Sequence, residues 1–223
     1  MTLHHLTNYH NDPALLAEIR ALLAPSYEEV GHFALKGLDE PVPGMEVELY
    51  TLRDEAGALA AFCTVGYYQL AGDWYGYVGL TAVRESKKGK GYGIRLWKQL
   101  YTDCRYKEAA AGHRILLYFT TASPLVFEWF ATTLCEPAPT TTGQCHELGR
   151  QQLRTLAATQ YPQATWDAAT PYLLRRAAPD VRYSVLEYQR ATEMAARHSS
   201  SFFTSVALDE RNGDRLLVVG FAP

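Results

Sequence analysis

What the sequence lacks narrows its class before any motif is read. The four cysteines (Cys63, Cys104, Cys135, Cys145) lie far apart and form no C-x-x-C pair. That spacing points to neither a zinc site nor a disulfide framework, and no metal is expected. No stretch approaches the ~18 apolar residues of a membrane-spanning helix. The opening MTLHHLTNYHNDP has no apolar core of the kind a secretory leader carries. These absences lead us to expect a cytoplasmic chain with reduced thiols and no membrane partner. A basic excess is missing too: the net charge is −3 at pH 7, which argues against a general nucleic-acid binder. No internal repeat or low-complexity segment is evident.

What is present is the composition of an ordinary globule, 48% hydrophobic and 20% charged with a mean hydropathy of −0.19. A chain of 223 residues can hold one well-buried domain with an elaboration, or two small ones. Tyrosine stands out, with 15 copies against 8 Phe. An apolar ring with a polar tip suits a pocket wall as well as a half-wet core. The charge is also uneven. Between Arg84 and Arg114 there are nine basic and three acidic residues, a local +6. Such a run reads either as a solvated helix face or as the footprint of a polyanionic small ligand.

Along the chain, Asn11-Asp12-Pro13 caps a helix over 14–23 that Pro25 stops. Residues 26–36 read as a second short helix with Ser26 as its cap, and 41–44 as a loop. Alternation over 46–52 predicts a half-buried strand, followed by a turn at 53–57, a second strand over 58–69 and a third over 74–83. Three strands joined by short turns imply an antiparallel meander. Gly91 to about Ala111 reads as a helix with Ile94, Trp97, Leu100, Tyr101 and Cys104 toward the sheet, ended by Gly112. The run RILLYFTT (114–121) is a buried strand, parallel to its predecessor. Ser123-Pro124 opens a further helix to about Leu134. Residues 135–142 read as a loop outside the core. Helices are expected near 145–159, 165–176 and 181–198, then a terminal hairpin of 202–208 and 215–221.

The stretch between the third strand and its helix carries three glycines in five residues, Gly89, Gly91 and Gly93. Glycine lets a backbone approach a ligand closely, and the first N–H groups of a helix lack an internal acceptor, so such a turn can hold a phosphate. A P-loop would need Lys-Ser/Thr after the glycines. A dinucleotide fingerprint would need G-x-G-x-x-G at the first turn of a βαβ unit, and a kinase glycine loop lies between two strands. None of these fits. Lys88-Gly89-Lys90-Gly91-Tyr92-Gly93 resembles instead the [Q/R]-x-x-G-x-[G/A] pyrophosphate loop of the GNAT superfamily of acyl-CoA-dependent N-acyltransferases. Lys88 stands where that family usually has Gln or Arg and keeps the positive charge. The order of elements is similar to that fold over roughly 3–136 and 202–221.

The resemblance implies an α/β (α+β) class: one domain over 1–223 with a mixed, mostly antiparallel sheet, flanking helices and a helical insertion at about 136–200 before the final hairpin. It implies acetyl-CoA as donor. Backbone groups of Thr81, Ala82 and Val83 would meet the pantetheine arm, and the amides from Gly89 through Lys90, Gly91 and Tyr92 to Gly93 the pyrophosphate. Lys87, Lys88 and Lys90 would suit the other phosphates, and Ser123 would help to bind CoA. The Val83 N–H would be the oxyanion donor. Where several members carry a glutamate base, fourteen residues before Gly91, this chain has Tyr77, and a tyrosine of ordinary pKa, ~10, is a poor base at neutral pH. Glu46, Glu48, Asp73 and His32 are the other candidates. The family's tyrosine acid falls on Phe130, which has no hydroxyl. The expected function is transfer of an acetyl or other acyl group to a primary amine of a small molecule or peptide, by direct attack in a ternary complex. The alternative is a GNAT-like module that binds acyl-CoA without turnover. Residues 136–200, rich in tyrosine and with Arg175-Arg176, would either wall the acceptor site or bury an exposed edge. Oligomeric state stays open, a homodimer included.

Overall fold

The computed structural model describes residues 1–30, 35, 38–39, 41–198 and 201–223, and no side chains over 194–198 or at 201. The chain divides into two compact units, one of residues 1–27, 31–115 and 222, the other of 28–30, 116–221 and 223. Each is an antiparallel sheet flanked by helices, the α/β class expected.

In the first unit, Asp12 accepts the Leu15 N–H at 2.9 Å and Pro13 sits in the first turn of α1 (Pro13–Leu23). Removing that cap would cost about 1 kcal/mol. Its stripe of Leu15, Leu16, Ile19, Leu22 and Leu23 packs with Leu49, Phe62 and Ala82 into one core on one face of the sheet. The meander forms as the alternation predicts: β3 (Glu46–Arg53), β4 (Leu59–Leu70) and β5 (Asp73–Val83), each antiparallel to the next. Strand β1 (Thr2–Leu6) adds to β3 in antiparallel register from Thr2↔Arg53 to Leu6↔Leu49, an element the sequence reading did not contain. On the other face lies α2 (Tyr92–Ala111), closed by Gly112 in the left-handed region. Its buried stripe is Leu96, Trp97, Leu100, Tyr101 and Cys104, whereas Ile94 is 38% exposed. At 100° per residue Ile94 falls about 90° from the centre of that stripe, which is why Leu96 replaces it.

The expected helix over 26–36 is corrected over 27–30, where β2 (Tyr27–Val30) is a strand, while Leu35 is helical. Its backbone pairs with β10 (Val181–Tyr183), while Glu28 and Glu29 bond Arg211 and Arg182. The rest of that expectation, residues 31–34 and 36, lies outside the described residues.

In the second unit, β6 (Ile115–Thr121) and β11 (Arg215–Phe221) pair antiparallel from Leu116↔Phe221 to Thr121↔Leu216. The other edge of β11 is taken by β7 (Cys135–Ala138) and β9 (Thr170–Arg175), and β8 (Thr165–Asp167) completes the row. Helix α3 (Pro124–Thr133) starts on the cap Ser123, and α4 (Glu147–Gln160) on His146. Four expectations are overturned here. Residues 135–142 include β7, with Ala138 buried in register with Val219. The expected helix at 165–176 is the β8–β9 hairpin, whose turn Asp167 closes by accepting the Ala169 N–H at 2.6 Å. The expected helix near 181–198 forms as α5 (Val185–His198), with β10 taking its first three residues. The stretch 136–200 is therefore a mixture of strands and helices, not a helical insertion. Finally, there is no hairpin of 202–208 with 215–221. Both edges of β11 are already occupied, and Phe202 and Phe203, on the short helix α6 (Ser201–Ser205), pack on Phe127.

Candidate active site

The glycine turn begins where β5 ends. Arg84 donates its N–H to the Ala60 carbonyl at 2.8 Å, and Ala61 lies opposite Val83. Bonded and non-bonded pairs alternate along an antiparallel ladder. Since Ala60–Arg84 bonds, Ala61–Val83 does not, and the Val83 N–H points away from β4. Thr81 shares that orientation, while Ala82 turns its backbone to Phe62. A short 3₁₀ turn at Glu85–Lys87 follows, then Gly89 at φ +73° and Gly91 at φ +76°, and α2 starts at Tyr92. Gly91 caps the helix with no side chain, and Arg95 N–H to Gly91 O at 3.1 Å is the first helical bond. The amides of Tyr92, Gly93 and Ile94 consequently have no acceptor within the helix. A Cβ on Gly89 or Gly91 would meet nothing within 4 Å. Glycine is required there by the backbone angle and leaves open space beside the amides, which is the geometry of an anion cradle.

The lysines of the turn are tied to protein groups. Lys88 donates to the Ser26 hydroxyl at 3.1 Å and pairs with Glu85 at 3.2 Å, and Lys90 reaches the Ser86 carbonyl at 3.0 Å. Lys87 lies 3.4 Å from Asp54. Burial opposes ionisation of Asp54, but the N–H groups of Ala58 and Ala56 together with Lys87 outweigh it and hold its pKa below the ordinary value. All three ammonium groups stand on the rim of the turn through contacts that a phosphate could replace.

Upstream, the register of β5 slips. Cys63 faces Thr81 but Val65 faces Val78, so one extra β5 residue is accommodated between them. Such a bulge bends the strand and re-aims its side chains. Gly79, isolated within a strand pattern, was the available sequence signal for it. On the α2 side, the Trp97 indole N–H donates to the Thr81 hydroxyl at 3.1 Å, and that hydroxyl donates to the Cys63 sulfur at 3.1 Å. Trp97 also lies 4.0 Å from where a Gly93 Cβ would be, with Val83 at 3.7 Å. The first turns of α2 are thereby fixed against the end of β5. Burial pushes the Cys63 thiol up to about 12, so it is no nucleophile at neutral pH.

The candidate bases fare differently. Glu48 is 1% exposed and fully engaged: Lys107 at 2.8 Å, His5 at 3.0 Å and the Tyr50 hydroxyl at 3.1 Å all approach it. It is a structural anion beneath α2. Glu46 pairs with Lys107 at 3.6 Å, and Asp73 lies at the exposed β4–β5 turn. His32 lies outside the described residues. Tyr77 is part-exposed on β5 opposite Gly66, two residues before the bulge glycine. Among the described residues no group of His, Cys, Asp and Glu could hold a metal ion, and no helix is long and apolar enough to cross a membrane.

No protein-family model and no curated protein matches the chain. Solved structures do. One is an aminoglycoside 6'-N-acetyltransferase complexed with coenzyme A, 15% identical, covering 100% of this chain and 98% of its own at a TM-score of 0.45. Another is a GNAT family N-acetyltransferase from Escherichia coli in complex with CoA, 17% identical over 58% of this chain and 66% of its own, TM-score 0.43. A third, described as a putative acyl-CoA N-acyltransferase from Klebsiella pneumoniae, is 17% identical over 54% of this chain and 70% of its own, TM-score 0.38. At these identities the likeness is one of fold.

The remaining sequence-predicted positions fall in the second unit. Ser123 accepts the Val126 N–H at 3.5 Å as the cap of α3, and its own N–H donates to the Thr121 hydroxyl at 2.9 Å. Phe130 is buried, with its ring 4.2 Å from that of Phe119, so the position offers the core a ring and no proton. Arg175 is bound to Asp214 at 2.5 Å, and Tyr161 is buried. Phe130 and Tyr161 belong to the unit's interior.

Proposed function

We propose that this protein is an acyl-CoA-dependent N-acyltransferase that moves an acyl group, acetyl in the first instance, from coenzyme A to a primary amine of a small molecule or peptide. The observation that carries the reading is the turn from a bulged strand into α2. Two glycines at positive φ open the amides of Tyr92 and Gly93 to a pyrophosphate, and three lysines stand beside them. The Val83 N–H, turned away from β4, supplies the donor for the developing oxyanion. The amine attacks the thioester carbon, the N–C bond forms as the C–S bond breaks, nitrogen gives one proton to water, and the thiolate takes one from water. With no side chain assigned as base, catalysis rests on positioning the two substrates in one ternary complex.

Binding of acetyl-CoA to the purified protein, followed by calorimetry, tests the reading. Gly91→Val should weaken it by about tenfold or more, since a non-glycine residue in the left-handed region costs about 1–2 kcal/mol. The fold should survive, because the new side chain enters open space. Unchanged affinity in G91V would sink the assignment.

A second reading, an acyl-CoA-binding module without turnover, is favoured by Tyr77 and Phe130 at the two positions where the resemblance implies proton-transfer groups. Thermal stabilisation by acetyl-CoA with no thiol release from any amine would select it.

A further inference from the structure

The β5 bulge decides which way the end of that strand presents its amides. From the β4–β5 turn the register runs from Leu70↔Asp73 to Val65↔Val78. Continued without the extra residue, it would set Val83 opposite Ala60 and Thr81 opposite Phe62. Both are bonded positions, because β4 turns every second residue from Ala60 toward β5. The N–H groups of Thr81 and Val83 would then bond β4. With the bulge, Thr81 faces Cys63 and Val83 faces Ala61, and both amides turn away from β4. The outward Val83 N–H on which the acyl-CoA reading draws therefore exists in one register and not in the other.

A chain of donors runs through the bulged register alone. The Trp97 indole N–H donates to the Thr81 hydroxyl and that hydroxyl to the Cys63 sulfur, each at 3.1 Å, and the Cys63 thiol donates to the Thr64 carbonyl at 3.5 Å. Thr64 is the β4 residue at the slip, and its side chain lies on the other face of the sheet, where Oγ1 occupies the space of the Cβ that Gly79 lacks. Trp97 and Cys63 are buried and Thr81 is half-buried. Apolar residues would fill these places as well, so packing does not account for three polar groups in series. In the straight register the Thr81 side chain moves to the α1 face beside Phe62, and Leu80 comes opposite Cys63. Thr81 then leaves both partners, and the bonds from Trp97 and to Cys63 are lost together. The chain is a register lock, made with the bulge and broken without it.

We infer that Thr81, held between Trp97 and Cys63, is a positioning residue that fixes the bulged register and so aims the Val83 N–H at the thioester carbonyl oxygen of bound acyl-CoA. The inference rests on the acyl-CoA reading. The lock also ties together the groups that meet the two ends of the ligand. Trp97 stands on α2, whose first amides face the pyrophosphate in that reading, and Val83 ends β5, where the thioester is bound. A ligand with a pyrophosphate and no acyl arm needs only the start of α2, whereas acyl-CoA needs the register of β5 as well. Loss of the Thr81 hydroxyl is therefore felt by the acyl ligand and not by the nucleotide alone.

The test uses the full chain with two ligands: 3′-phospho-ADP, which is CoA without its pantetheine arm, and acetyl-CoA carrying carbon-13 at the thioester carbonyl. Calorimetry comes first; absence of acetyl-CoA binding to the wild-type protein would bring down the acyl-CoA reading itself, and the lock's role with it. With binding established, the infrared stretch of the bound carbonyl should lie below that of free acetyl-CoA, as a hydrogen-bonded carbonyl does. Thr81→Val should return the stretch to the free value and weaken acetyl-CoA about tenfold, with 3′-phospho-ADP within about twofold. Thr81→Ser should restore both. Trp97→Phe, which keeps a ring and drops the N–H, should act in the same direction at about threefold, and carries the same readouts if Thr81→Val does not fold. In magnetic resonance spectra the α-proton contact between Ala61 and Val83, the mark of a non-bonded pair, should be joined in Thr81→Val by one between Ala61 and Ala82. A carbonyl stretch unmoved in the wild type, equal losses for the two ligands, or variants within about twofold of wild type that keep the Ala61–Val83 contact alone would overturn the lock while acetyl-CoA binding stands.

Discussion

The two units place buried charge to different ends. In the first, strand and helix positions follow from alternation and caps, and the buried carboxylate Glu48 serves to lock α2 onto a sheet already specified. In the second, the stretch from β9 to β11 has no comparable periodicity and is defined by side chains bonding to backbone. Asp214 accepts from Arg175, from the Arg176 N–H at 3.1 Å and from the Asp209 N–H at 3.2 Å. Arg215 donates to the carbonyls of Val181 at 2.6 Å and Asp214 at 2.7 Å, and Glu210 accepts the Tyr183 N–H at 2.9 Å. Regular structure tolerates the loss of a buried charge better than structure that the charge itself defines.

Asp214→Ala gives the largest expected effect. It leaves two backbone N–H groups and a guanidinium without their acceptor, a loss of about 3 kcal/mol in denaturant unfolding. Amide exchange should rise first over 170–215 and last over β3–β5. Equal loosening of both would break the comparison. The Glu48 cluster should matter less. Lys107 and His5 are each about one-third exposed at their side chains, so solvent screens them, and Glu48→Ala should cost about 2 kcal/mol.

The same cluster gives a pH dependence of definite sign. Burial would lower the Lys107 pKa, but the hydrogen bond and charge of Glu48, with help from Glu46, outweigh it and raise it. A folded pKa above the unfolded value stabilises at pH below about 10.4 and is lost as pH climbs through the folded value. Burial raises Tyr50 and Tyr67 in the same direction. Stability should fall above pH about 10, less steeply in Lys107→Met; an identical slope in that variant would remove Lys107 from the account.

The contrast also explains what could be read from sequence. Helix α1, the meander and α2 were legible because Asp12-Pro13, the alternation over 46–52 and Gly112 are local signals whose partners lie within a few residues. The glycine turn was legible for the same reason, since Gly89, Gly91 and the start of α2 are contiguous. Strand β1 was not, because three of its five residues are threonine or histidine and its pairing with β3 spans more than forty residues. The run at 170–175 becomes a strand only beside β11, and Arg175 finds its partner 39 residues on. At the site, the bulge had a weak signal in Gly79, but nothing in sequence says which face of the sheet Thr64 meets.

The smallest effect probes the cradle itself. Asp54 holds its turn by accepting the Ala56 and Ala58 N–H groups, both at 3.1 Å, and holds Lys87 beside the glycines. Its folded pKa is depressed, so its contribution is present above about pH 3.9 and fades as pH falls through the folded value. Amide exchange at Ala56 and Ala58 should quicken over that acid range. Asp54→Asn keeps an oxygen acceptor but drops the charge that competes for Lys87. If the lysine is held ready for a phosphate, acetyl-CoA should bind up to about twofold tighter in D54N, with a steeper salt dependence because the cation is now free to pair with the ligand. Unchanged affinity would mean that Lys87 belongs to the turn alone, and that the pyrophosphate is held by the amides that Gly89 and Gly91 expose.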